Sequence, residues 1–573
     1  MHQPQTTPRR SIYYQYNVHP PYLPATPGEV QRADVVVVGA GPVGLATALE
    51  MARYGVRCLV LESELQVSEG SRAIVFTRRS MEILQQAGVA DRIVAAGLHW
   101  RFGNSFFRGE RVFRLEAPHD EDDRFQPLTN LQQQYLEEFL VDAVAAQPAI
   151  ELRWGNRVTA IEPHDEGVRL TVDTPAGPYT LEAGWAVAAD GARSPIRSLL
   201  GLKLEGDSYE GRFVIADIRI RLDLPTERLA FFDPPWNPGN TVLMHREPGD
   251  IWRIDFQLPA GETPEQALQP ESLKARIDAQ LKMIGVADPQ WEMDWCSVYS
   301  ARAMTLPSYV HGRLCFTGDA AHMLPIFGVR GANTGWQDGQ NLAWKLAFVQ
   351  RGWASPALLD SYSHERVTAA REIIEEAGRS TRFMTPPTAG YRLLRDATLS
   401  LALRQDFVRP LLHWRTSRAH DYLDSPLNSA VDDNHLFTGG PVTGGPLRNV
   451  RLEDGGFLFD RMEAAFHLLI FIEADTLPEG VTEQVQRLRL GGIPWRVIAV
   501  RIRGQGPVPG ADLTLSDHNG RIRQRCAVPA AGAAYLVRPD QHVCARWLHL
   551  TPHRLQEAAE KALAVDSNPI PSP

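Results

Sequence analysis

The sequence has few cysteines and no metal-binding pattern. Its 5 cysteines, in 573 residues, form no Cys-x-x-Cys pair and no Cys/His cluster. Neither a disulfide framework nor a zinc site is therefore predicted, and no metal is expected. Scattered cysteines of this kind are typical of proteins from a reducing compartment, so we expect a cytoplasmic protein.

The sequence also lacks long hydrophobic runs and an excess of basic residues. No apolar stretch of about 18 residues occurs, so no membrane-spanning helix is predicted. The net charge is −9, from 59 basic and 68 acidic residues, which argues against sequence-independent nucleic-acid binding. With 44% hydrophobic and 22% charged residues, the chain has a globular composition. Its length allows roughly three or four domains.

A glycine-rich turn follows a valine-rich segment near residue 40. Residues 35–38 are all valine, residues 39–44 follow the pattern G-x-G-x-x-G, and a helical pattern runs from 45 to about 54. The glycines allow a tight turn, close approach of a pyrophosphate and close helix packing. A second apolar segment ends in an acid that can accept ribose hydroxyls. We therefore predict a dinucleotide site, for FAD or NAD, at Gly39, Gly41, Pro42, Val43, Gly44 and Glu62.

Two later segments favour FAD over NAD. Residues 185–189 form an apolar run that leads into Asp190 and Gly191, and residues 314–317 form another that leads into Asp319. A carboxylate at the carboxyl end of a buried strand lies where ligands bind in open α/β sheets. At that position Asp319 can bind the ribityl hydroxyls of a flavin.

The motifs GAGPVG, DGARS and GDAAH-x-x-P, in this order, resemble those of the class A flavoprotein aromatic hydroxylases. The resemblance covers roughly residues 30–550 and is stronger to the 3-(3-hydroxyphenyl)propionate and phenol hydroxylase-like members than to para-hydroxybenzoate hydroxylase. It implies FAD as cofactor, NADH or NADPH as co-substrate, and hydroxylation of a phenolic or related aromatic substrate by dioxygen through a flavin C4a-hydroperoxide. We also expect a homodimer.

The same resemblance extends to further residues of the flavin site. Arg72 matches an arginine near the FAD phosphates, and Pro325 matches a proline that lies against the flavin. Gln132 matches a glutamine that contacts FAD, although Gln133 and Gln134 leave the register open by one or two positions. Asp190 and Gly191 match a motif implicated in binding both FAD and the nicotinamide nucleotide. The segment that follows Pro325 adds three expected contacts: Gly331, Ala332 and Asn333.

Two arginines are predicted to place positive charge near the flavin, and with Pro325 they form the expected catalytic set. Arg330 replaces the glutamine that the family usually has, and Val329 replaces its first glycine. A helix from Asn333 to about residue 350 would direct its positive N-terminus at the flavin and stabilise a reduced anionic form. Arg253 matches a family arginine on a strand near the flavin. The alternatives are that Arg330 faces solvent or pairs with a carboxylate, and that Arg253 faces solvent.

The expected fold class is α/β, with a Rossmann-like FAD-binding domain interrupted by a sheet-containing substrate domain. A helical tract and a C-terminal domain follow, and the latter resembles the thioredoxin-like domain of the family without its Cys-x-x-Cys pair. The expected boundaries are an N-terminal arm at 1–32, an FAD-binding domain at 33–205 and 300–370, a substrate domain at 206–299, a helical tract and linker at 371–445, and a thioredoxin-like domain at 446–560.

Three other functions compete with an aromatic hydroxylase. A hydrolase needs a nucleophile elbow, but Glu210 stands where segment 206–210 would need its second glycine. A polyketide or antibiotic hydroxylase shares the flavin framework and accepts bulkier fused rings. A flavin-binding sequestration protein would bind FAD without turnover. Consumption of NAD(P)H that an aromatic compound stimulates separates turnover from binding.

Overall fold

A computed structural model describes residues 1–26, 28–259, 261–325, 327–412, 416–529 and 532–565, without the side chains of residues 209, 210 and 301. The described strands are β1 (Val30–Val38), β2 (Cys58–Leu61), β3 (Val75–Thr77), β4 (Leu98–Trp100), β5 (Phe102–Phe107), β6 (Glu110–Glu116), β7 (Leu128–Asn130), β8 (Ile150–Arg153), β9 (Arg157–His164), β10 (Gly167–Thr174), β11 (Gly177–Ala188), β12 (Glu205–Arg219), β13 (Arg228–Phe232), β14 (Thr241–Glu247), β15 (Ile251–Gln257), β16 (Glu292–Thr305), β17 (Val310–His311), β18 (Leu314–Phe316), β19 (His322–Met323), β20 (Phe466–Ile472), β21 (Trp495–Arg501), β22 (Leu513–Ser516), β23 (Ala534–Val537) and β24 (Val543–Trp547).

The helices lie between these strands and in the segment after β19. They are α1 (Pro42–Ala52), α2 (Arg78–Gln86), α3 (Ala90–Ala96), α4 (Gln133–Ala145), α5 (Pro195–Leu199), α6 (Pro264–Ala267), α7 (Pro270–Met283), α8 (Gly331–Gln350), α9 (Leu358–Met384), α10 (Ala389–Ala402), α11 (Val481–Leu490), α12 (Arg521–Arg525) and α13 (Pro552–Ala562). None of the helices in the described part of the chain is long and apolar enough to cross a membrane.

The first sheet brings four strand ends to one edge. Its order is β17-β18-β11-β1-β2-β8, and β9 and β10 extend it from β11. β1 pairs in parallel with β2 and β11, and β11 pairs in parallel with β18. The carboxyl ends of these strands lead into the glycine turn, Glu62, Asp190 and Asp319. The predicted β1-α1-β2 unit is confirmed, and its loops meet where ligands bind in parallel sheets.

The second sheet has the order β19-β16-β12-β15-β14-β13-β5-β6. One of its faces is apolar, with Val214, Met244 and Ile254 packed against Ile277 of α7. Alternation along the strands turns the other side chains toward the opposite face. The sheet also takes in β5 and β6, from a segment that sequence reasoning placed in the FAD-binding domain. Tertiary pairing of β5 with β13, more than 120 residues away in sequence, has no local signal.

The third sheet, β22-β21-β20-β23-β24, packs against helices α8 and α9. The Phe466 ring contacts Trp344 of α8 edge-on, with a ring-centroid distance of 5.8 Å. Arg538 Nη1 donates to Glu365 Oε1 at 2.6 Å, and Lys345 Nζ donates to Glu365 Oε2 at 2.7 Å. All three side chains are buried, so a charged network joins this sheet to the helices.

The N-terminal arm lies against both of the larger sheets. Ser11 Oγ and the Ile12 N–H donate to Asp294 of β16 at 2.7 and 2.6 Å. Gln134 Nε2 of α4 donates to the Tyr13 hydroxyl at 2.7 Å. The His19 ring stacks on Trp154 with centroids 4.3 Å apart. The arm therefore follows the protein surface and is held by specific polar contacts.

Several predicted element bounds differ from the structure. Helix α1 begins at Pro42 and ends at Ala52, and α8 begins at Gly331, because proline and glycine fit the first turn of a helix and were read as part of the preceding turn. Within the predicted helical tract and linker at 371–445, the last described α-helix is Ala389–Ala402, and a 3-10 segment follows at Asp406–Leu412. Segment 206–210 lies within β12 and not at a strand-to-helix turn, and the Glu210 side chain is outside the described part.

Candidate active site

The glycine turn after β1 combines two glycines that the fold needs with one that leaves space. A Cβ atom on Gly44 would lie 2.1 Å from the Gly39 carbonyl oxygen, and a Cβ on Gly39, whose φ is +109°, would lie 2.4 Å from the Ala189 carbonyl oxygen. A Cβ on Gly41 would meet nothing within 4 Å. No side chain caps the N-terminus of α1, which begins with Pro42 and Val43, so its N–H groups are available to an anion.

Glu62 lies beside this turn. Its Oε2 accepts the Ala40 N–H at 2.8 Å, and its Oε1 accepts the Glu64 N–H at 2.9 Å. The side chain keeps partial exposure. The carboxylate is thus fixed next to the turn with lone pairs free for hydroxyl donors.

Asp190 and Gly191 follow β11 on the other side of the turn. Asp190 Oδ2 accepts the Ile196 N–H at 3.0 Å, whereas its Oδ1 is buried without a hydrogen-bond partner among the described residues. Burial raises the pKa of Asp190. Gly191 has a φ of +78°, and a Cβ there would meet nothing within 4 Å. The loop therefore keeps an acceptor and an open backbone surface.

Asp319 lies in the segment between β18 and α8. Its side chain is exposed, yet the surrounding protein raises its pKa by desolvation, against the opposing effect of His322 and Arg72. Exposure combined with desolvation is what a carboxylate at the floor of a cleft shows. A Cβ on Gly331 would be 4.0 Å from Asp319 Oδ1, so the N-terminus of α8 adjoins this carboxylate.

Asn333 and Arg330 fix the start of α8. Asn333 Oδ1 accepts the Thr77 N–H at 2.9 Å, and Asn333 Nδ2 donates to the Val75 carbonyl at 2.8 Å. Arg330 is buried, and its Nη1 lies 3.3 Å from Glu376 Oε2 of α9, as in the carboxylate-pair alternative. Val329 has a φ of +54°, so it keeps a backbone conformation that glycine adopts readily. Ala332 lies in the first turn of α8.

Arg253 is buried and does not face solvent, contrary to that alternative. Its Nε donates to Asp217 Oδ1 at 2.9 Å, and its Nη1 donates to the Arg72 carbonyl at 2.9 Å. Nη2 donates to Ser71 Oγ at 2.6 Å. Burial lowers the pKa of Arg253, but Asp217 and Glu247 outweigh it and raise the pKa well above its usual range. Arg253 therefore connects the second sheet to the loop that carries Arg72.

The remaining predicted residues border the same region. The Arg72 side chain is exposed, and Pro325 is buried. Tyr299 of β16 donates its hydroxyl proton to the Leu324 carbonyl at 3.2 Å, next to Pro325. Gln132 Nε2 donates to the Pro248 carbonyl at 2.9 Å, and its Oε1 is buried without a partner among the described residues. Gln133 Oε1 accepts the Ala73 N–H at 2.9 Å, so the neighbouring glutamine is the one that contacts the Arg72 loop.

A buried network behind Asp319 was not predicted from the sequence. Asp338 Oδ2 accepts the Gly318 N–H at 3.2 Å and lies 2.6 Å from His322 Nε2. Arg366 Nε donates to Asp338 Oδ1 at 2.6 Å. Although burial raises it, Arg366 and His322 bring the pKa of Asp338 below its usual value. Asp338 and Arg366 are 28 residues apart and share no motif. Of this network, only His322 belongs to a recognisable sequence motif, GDAAH.

These features fit FAD. The open surfaces at Gly41 and Gly191 allow a pyrophosphate to approach the backbone, and two helix N-termini without side-chain caps direct N–H groups into the cleft. The unpartnered Asp190 Oδ1 and the exposed Asp319 carboxylate are acceptors for hydroxyl groups.

The match to a family model agrees with this geometry. Residues 32–377 match the family described as FAD binding domain, and this segment makes up more than half of the chain. The chain therefore belongs to the FAD binding domain family, and FAD is its cofactor.

Named relatives are similar over most of this region. The 3-(3-hydroxy-phenyl)propionate/3-hydroxycinnamic acid hydroxylase of Mycolicibacterium smegmatis is 31% identical over 447 residues, which are 78% of this chain and 77% of the relative. A second hydroxylase of that name, from Burkholderia vietnamiensis, is 32% identical over 376 residues, which are 65% of this chain and 67% of the relative. These relatives confirm the prediction of a class A FAD-dependent aromatic hydroxylase.

A solved structure is similar over a longer part of the chain. Aklavinone-11 hydroxylase, in a ternary complex with FAD and aklavinone, is 25% identical, with a TM-score of 0.73. The match covers 93% of this chain and 99% of the other. The similarity thus extends beyond the FAD-binding region.

Proposed function

We propose that this enzyme hydroxylates a single phenolic ring that carries a carboxylate side chain, with NAD(P)H as reductant and dioxygen as oxidant. The relatives named for 3-(3-hydroxy-phenyl)propionate support this substrate class. The observation that carries the proposal is the adjacency of Asp319 to the N-terminus of α8, in a cleft that the second sheet faces through Arg253 and Tyr299.

We assign the contacts to FAD as follows. Gly41, Pro42, Val43 and the α1 N-terminus bind the pyrophosphate, Glu62 binds the ribose hydroxyls, and Asp319 binds the ribityl chain. When bound, FAD supplies the electron transfer and oxygen activation. The α8 N-terminus stabilises negative charge at the flavin ring through Gly331 and Ala332. Because Glu376 compensates Arg330, the helix N-terminus carries more of this effect than the Arg330 charge.

The test is NAD(P)H oxidation by the FAD-loaded enzyme with a panel of hydroxylated benzoates, hydroxyphenylpropionates and simple phenols. We expect a hydroxyphenylpropionate to stimulate oxidation most and to yield a product with one added oxygen atom. Flavin binding without stimulation by any phenol would contradict the proposal. Running the panel with NADH and NADPH separately identifies the co-substrate.

A second candidate is a hydroxylase of fused-ring substrates. The similarity to aklavinone-11 hydroxylase over 93% of this chain favours it. Stimulation by an anthracycline aglycone such as aklavinone, and by none of the single-ring compounds, would support this candidate.

We also propose a homodimer in a reducing compartment, with a thioredoxin-like C-terminal unit. Support for the dimer comes from α10 and the 3-10 segment after it, where Leu393 is 72% and Phe407 is 76% exposed. Support for the C-terminal fold comes from the parallel β20-β21-β22 and the antiparallel β20-β23-β24 arrangement. Sedimentation of wild type and Leu393→Lys tests the dimer, and an unchanged mass in the variant would exclude this face.

A further inference from the structure

The polar face of the second sheet points toward the FAD-binding region. Three contacts define its direction: Arg253 to the loop at Arg72, Tyr299 to the Leu324 carbonyl, and the Phe213 ring to Phe327 at 5.4 Å. All three side chains belong to one face, since Arg253 pairs with Asp217 and Phe213 pairs with Tyr299 across the strands. Any other residue on this face between these contacts therefore borders the same space.

Three such residues are Ile215, His245 and Asp255. Ile215 and Asp255 are direct cross-strand partners, and His245 is the partner of Arg253. Ile215 lies on a central strand and is still partly exposed, whereas Phe213 and Asp217 beside it are fully buried. This face is therefore closed at Phe213 and Asp217 and leaves accessible surface at Ile215 between them.

His245 and Asp255 carry polar atoms without hydrogen-bond partners on the same face as Ile215. His245 Nδ1 and Asp255 Oδ1 make no hydrogen bond to any described residue, and each residue is only 7% exposed. Buried polar groups in folded proteins are almost always paired. A bound ligand with a hydroxyl group would supply both a donor and an acceptor to this pair.

The charges around the pair are mixed. Two positive charges, those of Arg228 in β13 and Arg253 in β15, influence the pKa values of both His245 and Asp255. The negative charge of Asp217 in β12 also influences the pKa of Asp255. Glu247 lies on the same strand as His245. Burial, then Arg228 and Arg253, lowers the pKa of His245 well below its usual value, so the imidazole is neutral at pH 7. Burial raises the pKa of Asp255 to about 7. A carboxyl group that titrates near neutral pH suits general base catalysis.

We infer that His245 and Asp255 contact the hydroxyl group of the aromatic substrate, and that the Asp255 carboxylate accepts the proton of that hydroxyl as the ring is oxygenated. This inference rests on the proposed function. The O–H bond breaks, its electron pair stays on the phenolic oxygen, and the proton forms the carboxylic acid of Asp255. One atom of dioxygen forms the new C–O bond as the O–O bond breaks, and the other leaves as water with a proton from solvent. The ring carbon then loses its proton to solvent, and Asp255 returns its proton to the phenolic oxygen. NAD(P)H supplies the two electrons that the reaction consumes.

The experiment compares Asp255→Asn with wild type and with Asp278→Asn, all loaded with FAD. Asp278 lies on α7, on the other side of the sheet, where it pairs with Lys274. Bound 4-nitrophenol is titrated by its absorbance without NAD(P)H. We expect Asp255→Asn to lower the apparent pKa of the bound phenol by about one unit, because removal of a neighbouring negative charge favours the phenolate. Asp278→Asn should match wild type.

Hydroxylation provides the second readout. With the best phenol of the panel, Asp255→Asn should lower the hydroxylation rate at pH 7 about 100-fold, and the rate should recover as pH rises and the phenol ionises by itself. His245→Asn, which also serves if Asp255→Asn does not fold, should weaken 4-nitrophenol binding about tenfold. The inference is overturned if the titrations and rate profiles of these variants superimpose on those of wild type. If no phenol stimulates NAD(P)H oxidation but the 4-nitrophenol shift is present, the proposed function fails and the contact stands.

Discussion

Individual residues of the FAD cleft separate into those that build the fold and those that leave room for the cofactor. Gly39 and Gly44 belong to the first group, because a Cβ atom on either would collide with a backbone carbonyl. Gly41 belongs to the second, because a Cβ there would meet only open space. The tight turn at Gly39 and the close helix packing at Gly44 were predictable, since the spacing of the glycines is a local property of the sequence, and the approach of a pyrophosphate to Gly41 stays a prediction.

This contrast predicts different outcomes for two substitutions. Gly41→Val should fold with wild-type stability and be colourless, because its side chain occupies the space in front of the α1 N-terminus. Gly44→Val should instead lower the free energy of unfolding by about 3 kcal/mol or more, through overpacking. Flavin absorbance and urea denaturation of both variants check this. A yellow Gly41→Val protein would contradict the assigned pyrophosphate site.

Substitution of Arg253 should change both the stability of the protein and the rate of flavin reduction. Arg253→Ala leaves Asp217 buried without its partner, so the free energy of unfolding should fall by about 3–5 kcal/mol. Loss of the contact to the Arg72 loop and of the positive charge should also slow flavin reduction by NAD(P)H. Denaturation and stopped-flow reduction are the measurements. The control is Arg57→Ala, which breaks an exposed pair and should change neither quantity. Equal reduction rates for Arg253→Ala and wild type would remove Arg253 from the site.

At the level of secondary-structure elements, what the sequence could predict depends on how local the signal is. The β1-α1-β2 unit and the strand before Asp319 were predictable because apolar runs, glycines and acids follow each other directly. The pairing of β5 with β13, the Arg253–Ser71 contact and the Asp338–Arg366 pair were not, because each joins residues that are distant in sequence. Likewise, the open patch at Ile215 arises from three strands that meet only in the folded sheet.

Buried His467, in strand β20, should make the stability of the protein depend on pH. The Glu463 N–H donates to His467 Nε2 at 3.1 Å, and burial lowers the pKa of His467 to about 3. The unfolded chain binds a proton below about pH 6.5 while the folded chain does not, so stability falls as pH decreases toward 3. Between pH 7 and pH 5, protonation of this residue in the unfolded chain should lower the free energy of unfolding by about 2 kcal/mol.

His467→Gln keeps an acceptor for the Glu463 N–H and removes the titration. We expect its free energy of unfolding to depend less on pH than that of wild type over this interval. Urea denaturation of both proteins at pH 7 and pH 5 provides the comparison. Parallel losses of stability in the two proteins would show that folding does not lower the pKa of His467.

At the scale of the whole molecule, the C-terminal unit is part of the same packed structure as the FAD-binding region. Phe466 packs against Trp344 and Phe348, and Arg538 neutralises Glu365 inside the interface. Removing the chain from residue 446 onward would expose these aromatic rings and take the Arg538 guanidinium away from the buried Glu365 carboxylate. Loss of one partner of a buried ion pair strongly destabilises the folded protein.

We therefore expect a protein truncated at Gly445 to aggregate. A variant with both Cys526→Ala and Cys544→Ala should stay folded and keep NAD(P)H oxidation coupled to hydroxylation. Both thiols are buried, and burial raises the pKa of each to about 12, so they are inert small hydrophobes. Solution mass and the ratio of product to NAD(P)H consumed are the measurements. Lost coupling in the double variant would reveal thiol chemistry. A soluble, active truncation would show that the C-terminal unit is dispensable for packing.

The polar contacts of the N-terminal arm set an order on folding during translation. Ser11 and Ile12 leave the ribosome early, but their partner Asp294 is added more than 280 residues later. At synthesis rates of about 5–20 residues per second, Ser11 and Ile12 wait on the order of 14 seconds or more for this partner. Residues that are translated among the first thus complete their hydrogen bonds only after β16 has been made, about half a chain later.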